Sequence, residues 1–385
     1  MDAKDLRVAL FSGNYNYVKD GANQALNRLV GYLLRQGVSV RVYSPTIETP
    51  AFAPTGDLVS IPSFPLPGRG EYRVGMGIAG VSDDVKAFDP HIIHIASPDI
   101  IGHRAVAWAR RNGRPAVASV HTRFETYFRY YRMHWMQTVI EAVLRRLYRR
   151  CEEIYAPSES MAAVLTDQRM SRNVRIWSRG IDGELYRPDR RDMDWRRSLG
   201  IADTDVVVLF VGRLVLEKGL DTFADTLAEL DRRGVAYKAL FVGDGPARPW
   251  IEEHAPQGIF TGFQGGDALA RAYASADIMF NPSSTETFGN VTLEAMASGL
   301  PVVAARATGS LSLVTPGVNG ILTAPDDVQA SADALAFYIG DTAARQAAGG
   351  AGRTISQRFD WDQINQALLD RYLAVTRRHA LKSAQ

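Results

Sequence analysis

The sequence is poor in features that stabilise a fold by means other than a hydrophobic core, such as disulfides, cysteine-based metal sites and membrane-spanning helices. One cysteine, Cys151, occurs among 385 residues, which excludes an intrachain disulfide and a metal site built on several cysteines. No run of about 18 apolar residues is present, so no membrane-spanning helix is predicted. The start of the chain, MDAKDLRVALFSG, carries two Asp and only a short apolar run, unlike a signal peptide. These absences predict a cytoplasmic protein.

What is present is the composition of a folded globular protein. Apolar residues make up 46% and charged residues 22%, and the length favours two or three domains. The net charge of +2 is unevenly distributed: residues 1–187 hold 25 basic and 18 acidic side chains, whereas residues 188–385 hold 19 and 24. The basic half predicts an anionic partner such as a membrane surface, a phosphate or nucleic acid. The alternative is an uneven surface without function.

Short Val- and Ile-rich runs alternate with helical patterns, which is typical of βαβ units around a parallel sheet. The candidate strands of the first half are Arg7–Ser12, Ser39–Tyr43, Ile92–Ile95, Ala116–Val120 and Glu153–Ala156. Those of the second half are Val206–Val211, Lys238–Val242, Gly258–Thr261, Asp277–Asn281, Pro301–Ala305 and Gly320–Thr323. The predicted fold class is α/β, with two Rossmann-like doubly wound domains that face a cleft. Pro45–Gly80, rich in Pro and Gly, is predicted to be loop.

The domain boundaries follow from composition. The charged stretch Tyr186–Gly200 is interpreted as a linker, which places one domain at residues 1–187 and a second at 188–358. Residues 359–385 form a predicted helix that we expect to pack back on the first domain. Its apolar residues at helical spacing are Trp361, Ile364, Leu368, Tyr372 and Val375.

Two acidic residues flank a predicted helix start in the second domain. Glu286 lies in the loop after a candidate strand, and Glu294 lies in the helix that begins near Gly289. The amides of Phe288, Gly289 and Asn290 would crown that helix, where a phosphate binds readily. The two carboxylates could then take the sugar and ribose hydroxyls of a sugar nucleotide. The alternative is a helix start with favourable acidic residues.

A pair of cations follows the first strand of the second domain. Gly212 and Arg213 come directly after the strand, and Lys218 lies five residues beyond Arg213. Departure of a nucleoside diphosphate builds negative charge, which such cations stabilise. The alternative is a surface Arg–Glu pair.

Two further loops follow strands of the first domain. The loop after the first strand ends in Gly21 and Ala22, whose small size would let a ligand approach a helix start closely. His121 follows the strand Ala116–Val120 directly. The position of this histidine at the carboxyl end of a strand favours a functional role over a structural one, although a lone histidine is more often structural.

Taken in order, these motifs resemble the retaining family 4 glycosyltransferases of GT-B fold, from about residue 7 to residue 375. The three segments DGAN, HTRFETY and TETFGNVTLE are most similar to the glycolipid-forming members. These include the sulfoquinovosyl-diacylglycerol synthases and the GDP-mannose-dependent α-mannosyltransferases. The resemblance implies an acceptor-binding first domain and a nucleotide-sugar-binding second domain.

The resemblance also implies roles for individual residues. Arg213 and Lys218 would bind the donor diphosphate, Glu286 would hold the transferred sugar, and His121 would contact that sugar near its C6; these four form the expected catalytic set. The expected donor-binding residues are Gly21, Ala22, Gly212, Gly243, Gly245, Phe288, Gly289, Asn290 and Glu294. The region of Gly262 and Phe263 would line the base pocket.

The implied reaction is hexosyl transfer from a UDP- or GDP-sugar to a membrane lipid. The family is thought to use front-face substitution, in which the leaving phosphate accepts the acceptor's proton, and no candidate nucleophile stands out in the first-domain loops. No cofactor and no metal are expected. The D-x-D pattern of Asp192 and Asp194 falls in the charged linker rather than at a buried strand end.

A basic and aromatic segment predicts the membrane contact. Residues 123–150 hold seven Arg and two Glu, and six aromatic residues occur between Phe124 and Trp135. This pattern suits an anionic membrane surface, so we expect peripheral association with the inner face of the membrane. The expected acceptor or membrane contacts are Arg123, Tyr127, Arg129, Tyr130, Tyr131 and Trp135. The apolar stripe that follows, residues 136–151, is interpreted as a core helix.

Two other functions remain open from the sequence. A nucleotide-sugar epimerase or hydrolase of the same fold would need no acceptor surface. A nucleic-acid-binding protein would draw its only support from the Arg-rich segment, and no known nucleic-acid motif accompanies it. We therefore expect no nucleic-acid partner.

Overall fold

The computed structural model describes residues 2–18, 20–66, 69–121 and 134–383, without the side chains of residues 69–71, 134–137 and 383. The chain divides into two compact units. The first comprises Met1–Arg179 together with Trp361–Gln385, and the second comprises Gly180–Asp360.

The first unit is built on a parallel sheet. Its strands are β1 Arg7–Phe11, β2 Ser39–Ser44, β3 Asp57–Ser60, β6 Ile92–Ile95, β7 Ala116–Ser119, β8 Glu153–Ala156 and β9 Val174–Ile176. They lie in the order β3-β2-β1-β6-β7-β8-β9, beside a hairpin of β4 Ser63–Leu66 and β5 Arg69–Gly75. The helices are α1 Gly21–Arg35, α2 Ser82–Phe88, α3 Ile100–Arg111, α4 His134–Tyr148, α5 Glu159–Asp167 and, from the chain's end, α14 Trp361–Ser383.

Alternate residues of β1 enter two different cores. Val8 and Leu10 pack with α1 and α14 on one face, whereas Ala9 and Phe11 pack with α3 on the other. A strand covered on both faces needs apolar residues at every position, which explains the unbroken apolar run in the sequence. Helix α1 begins where the Asp20 carboxylate accepts the Asn23 amide at 2.8 Å, the usual N-cap bond.

The strand order of the first sheet reverses between β1 and β6, so the loops after these two strands meet. The Gly13 amide donates to Ser97 Oγ at 2.8 Å, and a Cβ on Gly13 would lie 2.4 Å from Asp99 Oδ2. Loops that diverge at such a switch point form the usual ligand crevice of an open α/β sheet.

The C-terminal helix α14 completes the first unit. Leu368, Tyr372 and Val375 are buried against the first sheet, as the helical spacing in the sequence predicts. The buried carboxylate of Glu153 on β8 accepts from two arginines of α14: Arg371 Nε at 3.0 Å and Arg378 at 2.6 Å. Burial alone would raise the pKa of Glu153, but these hydrogen bonds outweigh it and hold the pKa below its ordinary value.

The Glu153 network predicts a stability change with pH. Because its folded-state pKa is lowered, the network stabilises the fold above the ordinary glutamate pKa and loses this effect as pH falls through the folded value. We expect Glu153→Gln to lower the free energy of unfolding by about 2 kcal/mol near neutral pH. We also expect the variant to lose less stability than the wild type as the pH falls. Urea unfolding at a series of pH values measures both. The control is Glu152→Gln, whose half-buried carboxylate meets, within the described part of the chain, only Lys382 and His379 at 3.6 and 3.9 Å. Equal costs for the two variants would contradict the assignment.

The second unit is also doubly wound. Its parallel strands are β10 Val207–Val211, β11 Lys238–Val242, β12 Ile259–Phe260, β13 Ile278–Asn281, β14 Val302–Ala305 and β15 Gly320–Thr323, in the order β12-β11-β10-β13-β14-β15. Its helices are α6 Met193–Ser198, α7 Leu220–Arg232, α8 Arg248–His254, α9 Gly266–Ala274, α10 Asn290–Ala297, α11 Thr308–Leu311, α12 Val328–Gly340 and α13 Thr342–Ser356. The strand order reverses between β10 and β13.

The interpretation of Tyr186–Gly200 as a linker is wrong. This stretch belongs to the second unit, where Tyr186 is buried against Tyr273 and its carbonyl accepts from Arg353 at 2.7 Å. Arg196 of α6 is fully buried and pairs with Asp277 at 3.0 Å. The charged residues of this stretch therefore form ion pairs within the second unit. The boundary between the two compact units lies between Arg179 and Gly180 rather than between residues 187 and 188.

Two parts of the first sheet depart from the sequence prediction. Pro45–Gly80 contains the edge strand β3 and the hairpin β4–β5, although it was expected to be loop. These strands, like β9 at the other edge, carry largely exposed or half-buried side chains and so lack the apolar runs that mark central strands.

Helix α4 confirms only part of the predicted core stripe. Leu144, Leu147 and Tyr148 are buried in the first unit, whereas Val139 and Val143 are exposed. Among the described residues, no helix is long and apolar enough to cross a membrane.

Candidate functional site

The loops after β10 and β13 meet at the switch point of the second sheet. Lys218 Nζ donates to Glu286 Oε1 at 3.0 Å, which joins the two loops directly. Gly219 has a φ of +74°, and a Cβ there would lie 3.0 Å from the Pro282 carbonyl oxygen. The structure thus brings together two residues of the predicted catalytic set that are 68 positions apart in sequence.

Helix α10 presents its N-terminus at the same place. Gly289 precedes it in the left-handed conformation, with a φ of +94°, and no side chain caps the helix at this position. Amides in the first turn of a helix have no partner within the helix, and together with the helix dipole they favour an anion. The sequence predicted this start at Gly289, and the helix begins at Asn290.

A small-residue turn after β14 fixes the backbone of Glu286. The Glu286 carbonyl accepts from the Gly309 amide at 2.9 Å and from Thr308 Oγ1 at 2.8 Å. A Cβ on Gly309 would lie 2.8 Å from the Phe288 carbonyl, so only glycine fits without a shift. Sequence reasoning missed this pair; the only available signal was a Thr-Gly-Ser run soon after a candidate strand.

The half-buried Glu294 is held by a buried phenol. Tyr273 of α9 donates to Glu294 Oε2 at 2.8 Å. Burial, and next the charge of Glu294, raises the pKa of Tyr273 well above its ordinary value, so the phenol stays a donor. Two residues earlier in the helix, Thr292 Oγ1 accepts from Asn281 Nδ2 at 3.1 Å, which ties the end of β13 to α10. No pattern in the sequence indicates the Tyr273 contact.

Arg213 lies on the loop after β10, whose backbone is tightly held. Leu214 exchanges hydrogen bonds with the loop after β11, donating to Asp244 at 3.0 Å and accepting from Ala247 at 2.9 Å. The side chain of Arg213 is exposed and makes no ion pair with any other residue that the structure describes. A fixed backbone with an uncommitted guanidinium is the arrangement that suits an external anion.

The glycines of the β11 loop permit this close packing. A Cβ on Gly243 would lie 1.9 Å from the Gly212 carbonyl oxygen, and one on Gly245 would lie 2.4 Å from the Leu214 carbonyl oxygen. Gly243 also donates to the Gly262 carbonyl at 2.9 Å, which joins the loop after β12. Phe263 in that loop is 69% exposed. The predicted base-pocket residues therefore lie along one loop edge of the second unit.

The first-domain candidates lie at the carboxyl edge of the first sheet. Gly21 and Ala22 open α1, behind the Asp20 cap. His121 follows β7, with its Nε2 2.8 Å from Ser119 Oγ and its Nδ1 2.8 Å from an Arg179 nitrogen. Burial, and next the charge of Arg179, lowers the pKa of His121 well below its ordinary value. The imidazole is therefore neutral at physiological pH.

Most of the predicted membrane contacts lie outside the described residues: Arg123, Tyr127, Arg129, Tyr130 and Tyr131. Trp135 belongs to α4, but its side chain is not among those that the structure describes. Their roles stay predictions.

The D-x-D residues are used structurally. The Asp192 carboxylate caps α6 by accepting the Trp195 amide at 2.8 Å, and Asp194 pairs with Arg197 at 2.7 Å. Among the residues described, no three His, Cys, Asp or Glu side chains cluster as a metal site would require.

Two doubly wound units in one chain, with a basic switch-point site in the second, are typical of glycosyltransferases of the GT-B fold. The chain belongs to glycosyltransferase family 4. Residues 19–185 match the model described as Glycosyltransferase Family 4, and residues 205–341 match the model described as Glycosyl transferases group 1.

Relatives that match most of the chain support the same assignment. The GDP-mannose-dependent alpha-mannosyltransferase of Mycolicibacterium smegmatis is 32% identical, over 98% of this chain and 100% of its own. Sulfoquinovosyl transferase SQD2 of Arabidopsis thaliana is 30% identical, over 93% of this chain and 72% of its own. Alpha-monoglucosyldiacylglycerol synthase of Streptococcus pneumoniae is 26% identical, over 78% and 71%.

A solved structure supports the fold. The Anabaena protein HepE, in complex with UDP, superposes with a TM-score of 0.77 at 23% identity, covering 96% of this chain and 100% of that one. At this identity the likeness concerns the fold.

Proposed function

We propose that the chain is a retaining hexosyltransferase that moves a sugar from a UDP- or GDP-sugar to a membrane lipid. The observation that carries the proposal is the 3.0 Å contact of Lys218 with Glu286 beside the start of α10. It places a cation, a carboxylate and a helix N-terminus at one switch point, which is where open α/β sheets bind their ligands.

On this proposal the donor diphosphate binds between Arg213, Lys218 and the start of α10. Its charge competes with Glu286 for the Lys218 ammonium, and phosphate oxygens make strong charge-assisted bonds with both cations. Glu286, released from Lys218, then accepts from hydroxyls of the transferred sugar. Glu294, oriented by Tyr273, accepts from the ribose.

The proposed chemistry is front-face substitution. The acceptor hydroxyl attacks the anomeric carbon on the face from which the diphosphate departs, and the leaving phosphate takes the hydroxyl proton. The protein then contributes by positioning the reactants and by stabilising the negative charge that develops on the diphosphate. No metal and no cofactor take part.

Names of relatives support the choice of substrates. One relative is named for GDP-mannose and another for the synthesis of a glucosyl diacylglycerol. A structural neighbour binds UDP. We therefore propose a nucleotide-sugar donor with either base and a lipid acceptor, as part of glycolipid biosynthesis.

The test is a transfer assay with purified protein. Thermal shifts with UDP- and GDP-sugars identify the donor, and that donor is then incubated with a membrane lipid extract and with lipid-free buffer. We expect lipid-dependent formation of a glycolipid with the donor's anomeric configuration retained. Turnover of the donor at the same rate with and without lipid would favour an epimerase or hydrolase instead.

Metal independence is tested in the same assay. Because the proposed stabilisation of the diphosphate comes from Arg213, Lys218 and helix amides, we expect full activity in excess EDTA. A loss that added Mg²⁺ or Mn²⁺ restores would contradict this part of the proposal.

An exposed apolar and basic surface on the first unit supports membrane association. Ile100, Val139 and Val143 are large, exposed apolar residues on α3 and α4, and the arginines Arg104 and Arg146 are exposed on the same two helices. A cavity of about 490 Å³ is lined in part by Ile100, Arg104 and Val143. Apolar side chains beside arginines suit a surface of anionic lipids.

The membrane proposal predicts binding to anionic vesicles. We expect the protein to float with phosphatidylglycerol-containing vesicles but not with pure phosphatidylcholine, and Val143→Glu to weaken binding about tenfold. The control is Phe337→Glu, which changes a comparably exposed apolar residue on α12 of the second unit. No flotation of the wild type, or equal loss in both variants, would remove this part of the proposal.

A further inference from the structure

A buried arginine contacts His121 in the first unit. Arg179, which follows β9, is only 4% exposed. One guanidinium nitrogen lies 2.8 Å from His121 Nδ1, and the other donates to the carbonyls of Trp177 and Ser178 at 3.1 and 3.2 Å. The guanidinium also stacks 4.9 Å from the centre of the Trp177 ring. Four contacts therefore fix its position.

The other ring nitrogen of His121 opens a line of hydrogen bonds through the sheet. His121 Nε2 lies 2.8 Å from Ser119 Oγ, which lies 2.9 Å from His94 Nε2. His94 Nδ1 in turn lies 2.5 Å from the Tyr372 hydroxyl on α14. His94 and Tyr372 are fully buried. The line connects three neighbouring elements, β7, β6 and the C-terminal helix.

The chemistry of the partners fixes the protonation of the ring. A guanidinium has donors and no acceptor, so His121 Nδ1 must accept from Arg179. An imidazole that accepts at Nδ1 carries its proton on Nε2 and is neutral, and that Nε2–H donates to Ser119 Oγ.

We propose that Arg179 is a positioning residue, which holds His121 as the neutral Nε2–H tautomer and fixes its ring at the end of β7. The inference rests on the proposed function, in which the family resemblance gives His121 a role at the transferred sugar. The role assigned to Arg179 is to keep that imidazole uncharged and in one orientation throughout the reaction.

The charged and titratable groups around the ring agree with this assignment. Among the described residues these are Arg179, His94 and, behind Arg179, Asp20 at the start of α1. Burial lowers the pKa of Arg179 to about 10, and the charge of Asp20 opposes that shift, so the guanidinium stays a cation at neutral pH. A second positive charge on His121 is therefore opposed by both burial and repulsion.

The direct test is nitrogen NMR of the histidine rings in the free protein. We expect His121, assigned by the signal lost in His121→Gln, to show the Nε2–H tautomer without titrating between about pH 5.5 and 8. In Arg179→Met, which removes both the donor and the charge, we expect a second tautomer or a titration to appear. An Nδ1–H tautomer or a titrating His121 in the wild type would overturn the proposal, whatever the enzyme's activity.

The functional arm is the pH profile of transfer. We expect kcat to be flat from about pH 6 to 8 in the wild type but to fall at least tenfold towards pH 6 in Arg179→Met, with donor KM changed less than twofold. Arg179→Lys should restore most of the profile because it retains a cation. Arg175→Met, at an exposed position on β9, is the control and should leave the profile unchanged.

The two arms separate the possible failures. If Arg179→Met keeps the wild-type pH profile while the protein transfers sugar, the positioning role is wrong and the proposed function stands. If no donor is turned over, the proposed function is wrong, and Arg179 then has no role in sugar transfer. The tautomer of His121 is still measured by NMR in that case. A uniform loss in both kcat and donor affinity, with no change of pH profile, would show a merely structural role.

Discussion

Replacing Arg213 with alanine is expected to lower kcat by about 10²- to 10³-fold, because one preorganised charge donor at a developing anion contributes roughly that much. The side chain is exposed and makes no ion pair among the described residues, so its removal leaves no buried partner behind. The fold and thermal stability should therefore be unaffected. Steady-state kinetics with a saturating lipid acceptor would measure the change.

Two variants sharpen the Arg213 experiment. Arg213→Lys keeps the charge but loses the two-pronged contact with phosphate, so it should fall between the wild type and alanine. Arg232→Ala removes an exposed arginine that pairs with Glu229 on α7, and it should turn over normally. Near-normal turnover in Arg213→Ala would refute the role of this residue at the diphosphate.

Replacing Gly243 with alanine is expected to destabilise the protein by about 3 kcal/mol and to abolish donor binding. The new Cβ would lie 1.9 Å from the Gly212 carbonyl oxygen, at a φ of +145° that L-residues rarely adopt. The backbone must move to relieve this contact, and backbone strain of this kind costs several kcal/mol when a clash is added to it. Because Gly212 precedes Arg213, the displacement also moves the diphosphate site.

The matched control is Gly234→Ala. Gly234 has a φ of +69°, and a Cβ there would meet nothing within 4 Å. Alanine at this position therefore adds the cost of the left-handed backbone conformation without a steric clash. That cost is about 1 kcal/mol. Urea unfolding and thermal shifts with the donor nucleotide compare the two variants. Equal destabilisation, with donor binding retained in Gly243→Ala, would contradict the close packing of these loops.

The elements that could be predicted from sequence are those with a local signal. The central strands read as unbroken apolar runs because both faces are covered, as in β10, where Val207 and Leu209 enter one core and Val208 and Phe210 enter the other. The start of α10 was predicted within one residue from its glycine. Edge strands such as β9 were missed because exposed faces carry no such run.

The contacts that orient side chains could not be predicted because they join residues far apart in sequence. Tyr273 reaches Glu294 across 21 positions, and Tyr372 reaches His94 across 278. Neither pair leaves a spacing that a single sequence reveals. Likewise the charges of Tyr186–Gly200 looked like a linker because the partner of Arg196, Asp277, lies 81 residues away. Local composition cannot distinguish a solvated charge from one that pairs inside the fold.

The most direct measurement is a crystal structure of the protein with the intact nucleotide-sugar that gives the largest thermal shift. We predict that the diphosphate oxygens lie within hydrogen-bond distance of Arg213, Lys218 and the first amides of α10. The Lys218–Glu286 contact should then be replaced by contacts of Lys218 with phosphate and of Glu286 with the sugar. A nucleotide bound elsewhere in the second unit, with the Lys218–Glu286 pair intact, would contradict the account.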